Sequence, residues 1–292
     1  IMPSLVGSEM CIRDRYKIEE ADKLGHDIPN IFYRLAAIFW PGPLTMIVPK
    51  NDIIPAETSG GLDTVGIRMP SHRVMRELIR LTGPIAAPSA NRSGYPSPTS
   101  AAHVMNDMNG KISAVIDGGE SRFGVESTVI SFDDENTVRI LRPGSVTSEM
   151  LMEHADNVII DDAILNDIAA GREAPSPGMK YKHYSPKARV ILLKGTDEEY
   201  INYVNSKDDG KTAALCCDED IAQLKVKTFS LGKRQDYAQQ AHRLFDMLRE
   251  VDEVGGIDTA YSRLPSCDGV GMALYNRLIR AAGYEVIDLE KI

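Results

Sequence analysis

Between Arg189 and Leu289 the chain alternates short apolar runs with amphipathic stretches, a rhythm that few folds accept. Arg189–Leu193, Thr212–Cys216, Val226–Ser230 and Asp258–Tyr261 read as buried strands. Tyr237, Ala241, Leu244, Phe245, Leu248 and Val251 recur at helical spacing and form one apolar face. Met272–Ala282 reads as a helix stopped by Gly283, and Glu285–Leu289 closes the chain. Strands separated by helices pair in parallel, because the helix supplies the crossover. The predicted unit is a small open α/β domain of the Rossmann type. No G-x-G-x-x-G follows its first strand, so dinucleotide binding is not expected there. Gly269-Val270-Gly271 reads as a helix start, with a weak phosphate-loop signal as the lesser reading.

The first half is organised around Pro84-Ile85-Ala86-Ala87-Pro88-Ser89-Ala90-Asn91-Arg92-Ser93-Gly94-Tyr95-Pro96-Ser97-Pro98-Thr99. A small-residue apolar run, bounded by prolines and too short for a helix, predicts a buried strand. It opens into Ser, Asn, Gly and Pro, which build turns with their own side-chain hydrogen bonds. From an extended backbone Ser89 and Asn91 point the same way. Two readings stand: an ordinary strand-to-loop corner, or hydroxyl, amide and backbone N–H groups offered to an anionic ligand.

Around that loop, Ile31, Leu35, Ile38 and Phe39 predict a helix that Pro41-Gly42-Pro43 stops, with Trp40 as a core anchor. Leu44–Val48 and Thr64–Pro70 read as strands flanking the loop Thr58–Asp63. Arg68 stands between apolar neighbours and is either a solvated edge charge or an anion clamp. His72 is expected to cap a helix over Val74–Leu81, with catalysis as the lesser reading. Ala101–Asn109 is a helix capped by Ser100 or Thr99. Ala114–Gly119 and Val138–Leu141 are further strands. In Gly124–Ile130 the polar Glu126-Ser127-Thr128 interrupts a good strand, which costs packing unless the hydroxyls meet a ligand or a partner. Arg142 ends the following strand at a Pro-Gly turn.

Residues Leu151–Glu173 are acidic and weakly patterned. The connector Pro175–Pro186 carries Lys180, Tyr181, Lys182, His183 and Tyr184; these either stack on a nucleotide or pack against both domains. Ile1 to about Arg15 shows no periodicity and is set aside as a non-native or disordered leader. Four cysteines with no C-x-x-C pair fit a reducing, cytoplasmic setting. No apolar run approaches the roughly 20 residues of a membrane span. A formal net charge of -9 argues against broad nucleic-acid coating but leaves room for a local basic pocket.

Pro41–Thr45, Thr64–Pro70, Ala87–Gly94, Asp117-Gly118-Gly119, Gly124–Val129 and Leu141–Gly144 stand in the order and spacing of YrdC domains, and the chain resembles that family. Ser176–Lys187 resembles the connector of two-domain L-threonylcarbamoyladenylate synthases, and Ser230-Leu231-Gly232 and Asn276-Arg277-Leu278 resemble their C-terminal domain. With 1–15 set aside as the leader, the resemblance implies a YrdC-like catalytic domain over 16–150, a covering linker over 151–187 and a Rossmann-like domain over 188–292. The implied fold class is α/β: a twisted mixed sheet with helices, α+β in character, followed by the small open domain. The implied reaction joins ATP, L-threonine and bicarbonate into L-threonylcarbamoyladenylate and pyrophosphate, for modification of the adenosine beside the tRNA anticodon. Carried over by position, Thr64 with Ser89 or Asn91 contacts nucleotide or threonine, and Arg68 holds the threonine carboxylate. Ser97, Ser127 and Arg142 line the same cleft, and Tyr184 belongs to the cover. Arg68 and Arg142 are the expected catalytic cations, Mg²⁺ arrives on the triphosphate, and no resident metal site is expected. Threonylcarbamoyl-transfer proteins and weak RNA contact complete the expected partners. The family's opening strands and Lys-x-Arg-Pro-type motif are not found before Tyr16, which implies about sixty missing residues, against an ordinary domain size, and impaired activity. The competing readings are a non-catalytic RNA-binding module and a carbamoyl-transfer domain. The first needs a Lys/Arg patch with exposed aromatics, and the second needs zinc-binding cysteine pairs.

Overall fold

The structure is a computed structural model that describes residues 12–14, 18–164 and 184–292. In chain order the strands and helices are β1 (Ile12–Asp14), α1 (Asn30–Phe39), β2 (Leu44–Pro49), α2 (Ala56–Ser59), β3 (Thr64–Arg68), α3 (Arg73–Thr82) and β4 (Ile85–Ala87). Then come α4 (Ala101–Met108), β5 (Thr128–Phe132), β6 (Thr137–Arg142), α5 (Ser148–Met152) and β7 (Asn157–Ile160). The remainder is β8 (Arg189–Lys194), α6 (Asp197–Ser206), β9 (Thr212–Cys217), β10 (Lys227–Gly232), α7 (Tyr237–Val254), β11 (Thr259–Arg263), α8 (Val270–Ala281) and β12 (Val286–Asp288). The chain divides into two compact units: among the described residues the first holds 12–14, 18–89 and 126–164, and the second 90–125 and 184–292.

The first unit holds a seven-stranded mixed sheet in the order β4-β1-β3-β2-β5-β6-β7. Its central strand β2 is buried from Leu44 to Val48, as a strand covered on both faces must be. Helix α1 buries Ile31, Phe32, Leu35 and Ala36, and ends where Pro41 removes a backbone donor. Trp40 is 6% exposed and its indole donates to the Leu44 carbonyl at 2.7 Å, so it anchors the turn from helix to strand.

The second unit holds five parallel strands in the order β10-β9-β11-β8-β12. Strand alternation sorts its core onto two faces. Val190 and Leu192 of β8 pack with Leu244, Phe245 and Leu248 of α7 and with Leu274 and Leu278 of α8. Ile191 and Leu193 face the other way, onto Tyr200 and Val204 of α6. Helix α6 opens on a full capping box between Thr196 and Glu199, a start signal carried by the local sequence.

Several local expectations are corrected. Residues Ala114–Gly119 form no strand; Ile116 is 65% exposed and the segment pairs with no strand of either sheet. Strand β4 is half-exposed rather than buried, because it lies at the sheet edge. The acidic stretch after Leu151 contributes β7, which pairs in parallel with β6. His72 occupies the N-cap of α3 without a side-chain cap bond. Ile12–Asp14, set aside above with the leader, form β1 between β3 and β4. The segment Ala90–Val125 clusters with the C-terminal strands rather than with the first sheet. The remainder of the expected leader and most of the expected connector, including Tyr181, lie outside the described residues.

Candidate active site

Thr45, Ser127 and Arg142 of the first unit meet at one end of its sheet. Met46 pairs with Ile67 across β2 and β3, so one further step along that ladder sets Arg68 beside Thr45. Thr45 pairs with Val129 of β5, and Val129 with Arg142 of β6. Residues in register share a face, so Arg68, Thr45 and Arg142 stand in one row across the sheet. Ser127 lies two residues before Val129 and takes the same side. Its hydroxyl meets Thr45 Oγ1 at 2.8 Å. Arg142 Nε and Nη2 donate to the Ser127 carbonyl at 3.1 and 3.0 Å, and Nη2 reaches Ser127 Oγ at 3.3 Å. Arg142, Ser127 and Thr45 are all buried.

The guanidinium of Arg142 therefore holds the entry to β5 in place, as a planar fork is suited to do. Thr128 accounts for the rest of the polar interruption. Its hydroxyl donates to the Val146 carbonyl at 2.7 Å and accepts the Val146 N–H at 3.0 Å. These strand hydroxyls have protein partners, which removes the cost of burying them. Gly144 lets the two strand ends approach: a Cβ there would sit 2.5 Å from the Thr128 nitrogen.

Thr64 and Ser89 lie elsewhere on the sheet. Thr64 starts β3 and pairs with Pro49, four residues from Arg68 and about 13 Å away at a normal strand rise. Ser89 follows the carboxyl end of β4, which runs antiparallel to β1, whereas β3 runs parallel to β1. Ser89 thus leaves the sheet from the end where Thr64 enters it. The structure brings Thr45, Ser127 and Arg142 into contact. Arg68 lies at the same sheet end but three strand spacings from Arg142, about 14 Å away, and Thr64 and Ser89 lie at the opposite end.

The second unit contains Asn91, Ser97 and Tyr184. Asn91 Nδ2 donates to the Arg92 carbonyl at 2.9 Å and the Tyr95 carbonyl at 3.1 Å. Two carbonyl acceptors fix which end of the amide carries nitrogen. Asn91 Oδ1 is then left buried with no hydrogen-bond partner. An orphaned acceptor of this kind is a position for a ligand donor. Ser97 is buried between two prolines. The expectation for Tyr184 is corrected: it is 2% exposed, and its ring packs 5.1 Å from that of Phe245 in the core of its unit. A side chain enclosed in this way is structural rather than a cover.

Three polar groups tied to these residues escaped the sequence reading. Thr45 is the one hydroxyl in the otherwise apolar strand from Leu44 to Val48, which is a faint signal. Arg249 is 7% exposed and pairs with Asp107 at 2.7 Å. His103 lies between Thr99 and Asp246. Burial and the Arg249 charge hold its pKa below the ordinary value, outweighing the upward pull of Asp246. Among the described residues no group of three His, Cys, Asp or Glu side chains could hold a metal ion. No described helix is long and apolar enough to cross a membrane.

Two family models match the chain. Residues 13–144 match one described as telomere recombination, and residues 146–283 match the C-terminal domain of threonylcarbamoyl-AMP synthase. The threonylcarbamoyl-AMP synthase of Pyrococcus abyssi is 40% identical over 92% of this chain and 78% of its own length. That of Bacillus subtilis is 38% identical over the same shares. The chain belongs to the threonylcarbamoyl-AMP synthase family. Among solved structures, Pyrococcus abyssi Sua5 complexed with L-threonine superposes with a TM-score of 0.85 at 38% identity, covering 96% of this chain and 82% of that one. In this member of the family the first matched region includes Ala90–Val125, although that segment packs within the second compact unit. Asn91 and Ser97 thus belong by family match to one region and by packing to the other.

Proposed function

We infer that this chain is a nucleotidyltransferase that makes L-threonylcarbamoyladenylate. Bicarbonate and the threonine amine give a carbamate with loss of water. A carbamate oxygen then attacks the α-phosphorus of ATP, the bond to the β-phosphate oxygen breaks, and pyrophosphate leaves. The observation that carries this reading is the match to threonylcarbamoyl-AMP synthases across 92% of the chain. The Asn91 oxygen that lacks a donor supports it independently.

The step brings two anions together, so the protein's contribution is positioning and fixed positive charge rather than covalent chemistry. In this reading Arg68 holds the threonine carboxylate and Arg142, braced on Ser127, supplies charge near phosphate. Asn91 Oδ1 accepts from a substrate N–H, either the threonine ammonium or the adenine amine. Thr64, Ser89 and Ser97 offer hydroxyls. ATP enters with Mg²⁺ on its triphosphate as the substrate form. Threonylcarbamoyl-transfer proteins consume the product in a tRNA modification carried out in the cytoplasm.

The test is pyrophosphate release by the purified chain given ATP, L-threonine and bicarbonate. Release that depends on both threonine and bicarbonate is expected. Release that ignores threonine, or none at all, sinks the reading.

A further inference from the structure

The polar stripe of α7 carries more than solvation. His242, Asp246 and Arg249 are spaced four and three residues apart and share one side of the helix. That stripe is the seat of the segment from Asn91 to Gly124. A Cβ placed on Gly124 would fall 2.2 Å from His242 Cα, so backbone lies directly on backbone. Asp246 accepts from the Thr99 hydroxyl. Arg249 Nη2 donates to Asp107 Oδ2 at 2.7 Å and to the Pro96 carbonyl at 2.5 Å.

The last contact lies one peptide from the carbonyl that holds the Asn91 amide. Asn91 Nδ2 is held by the Tyr95 carbonyl at 3.1 Å, and the next carbonyl along the chain, that of Pro96, is held by Arg249. We propose that Arg249 is a positioning residue for the substrate loop: it fixes the Tyr95–Pro96 backbone, which turns the Asn91 amide so that Oδ1 faces the substrate. This gives the C-terminal region a part in the reaction, and it rests on the reading above that Asn91 touches substrate. Nη2 alone makes both bonds, so what the planar fork contributes is the fixed direction of that nitrogen, which a flexible ammonium lacks.

The experiment is a double-mutant cycle between Arg249→Gln and Asn91→Ala, read as KM and kcat for ATP and for L-threonine in the pyrophosphate assay. Asn91→Ala is expected to raise KM for one of the two substrates about tenfold, the size of one lost hydrogen bond to a charged or polar group. Arg249→Gln is expected to raise the same KM by a similar factor when Asn91 is present and by less than twofold when it is Ala. An equal factor in both backgrounds would mean that Arg249 only supports the fold, and it overturns the proposal. If Asn91→Ala leaves both KM values unchanged, the Asn91 reading fails first and takes the proposal with it. Arg249→Lys keeps the charge beside Asp107 and serves as the second variant should Arg249→Gln not fold. It is expected to raise the same KM, and an unchanged KM in a folded Arg249→Lys chain counts against the fork.

Discussion

At the scale of single residues, the polar groups at the sheet end divide by what they touch. Arg142 is buried and donates twice to the Ser127 carbonyl and once to its hydroxyl; the hydroxyl keeps Thr45, so shortening Arg142 strands the carbonyl in a dry place. Arg142→Ala is expected to lose about 1–3 kcal/mol of stability in urea unfolding, the usual penalty for unsatisfied buried groups. Its activity should fall further than that of a comparably destabilised core variant such as Val129→Ala if the charge also serves phosphate. The adjacent cysteines of β9 behave oppositely. Burial, helped by the nearby Asp220 carboxylate, pushes the Cys216 thiol up to about 12 and the Cys217 thiol up to about 11. Both stay protonated at pH 8, and the thiolate is the reactive form. Iodoacetamide is expected to leave both unmodified in the folded chain and to label them after denaturation, with peptide mass mapping as the readout.

At the scale of elements, α4 and α7 form the pair whose chemistry is most open to pH. His103 is held below its ordinary pKa of about 6.5 by burial first and Arg249 second. As pH falls below that value the unfolded chain takes up the proton before the folded one does. The stability contributed by the neutral ring is whole above about pH 6.5 and is lost on descending through the window just beneath it. His103→Gln is expected to flatten the pH dependence of the melting temperature in that window, and an unchanged slope would refute the assignment. The same helix is capped by Ser100, whose hydroxyl accepts from the His103 N–H. Ser100→Ala should cost about 1 kcal/mol with no change in the pH slope. Helix α4 was readable because a capping serine precedes Ala101-Ala102 and a run free of Gly and Pro. The expected strand at Ala114–Gly119 was not a strand, because apolar alternation has no meaning for a segment that no ladder receives.

At the scale of the whole molecule, two sheets of different kinds make two cores. Phe245 is fully buried among Tyr184, Leu244 and Leu248, and Phe245→Ala should cost about 3–5 kcal/mol, checked by chemical denaturation. Gly124 carries a left-handed backbone, φ +70, against the α7 backbone, so Gly124→Ala is expected to lower the melting temperature although it adds only a methyl group. The amino-acid order by itself determined the periodicities and the punctuation. It marked four of the five strands of the C-terminal sheet, the face that α7 turns inward, the stop at Pro41 and the conspicuous polar loop at Ser89–Ser97. Those are local properties, set by side-chain spacing and by which residues a turn tolerates. Only the tertiary structure decided partners. It set Arg142 on Ser127 and enclosed Tyr184 instead of leaving it as a cover. It also seated the segment after Ala90 on a helix about 150 residues downstream, with Asp107 finding Arg249 at a sequence separation of 142. Each outcome follows from strand register or from long-range charge pairing. Neither is encoded in any window of sequence short enough to read, because both depend on where the remainder of the chain has already packed.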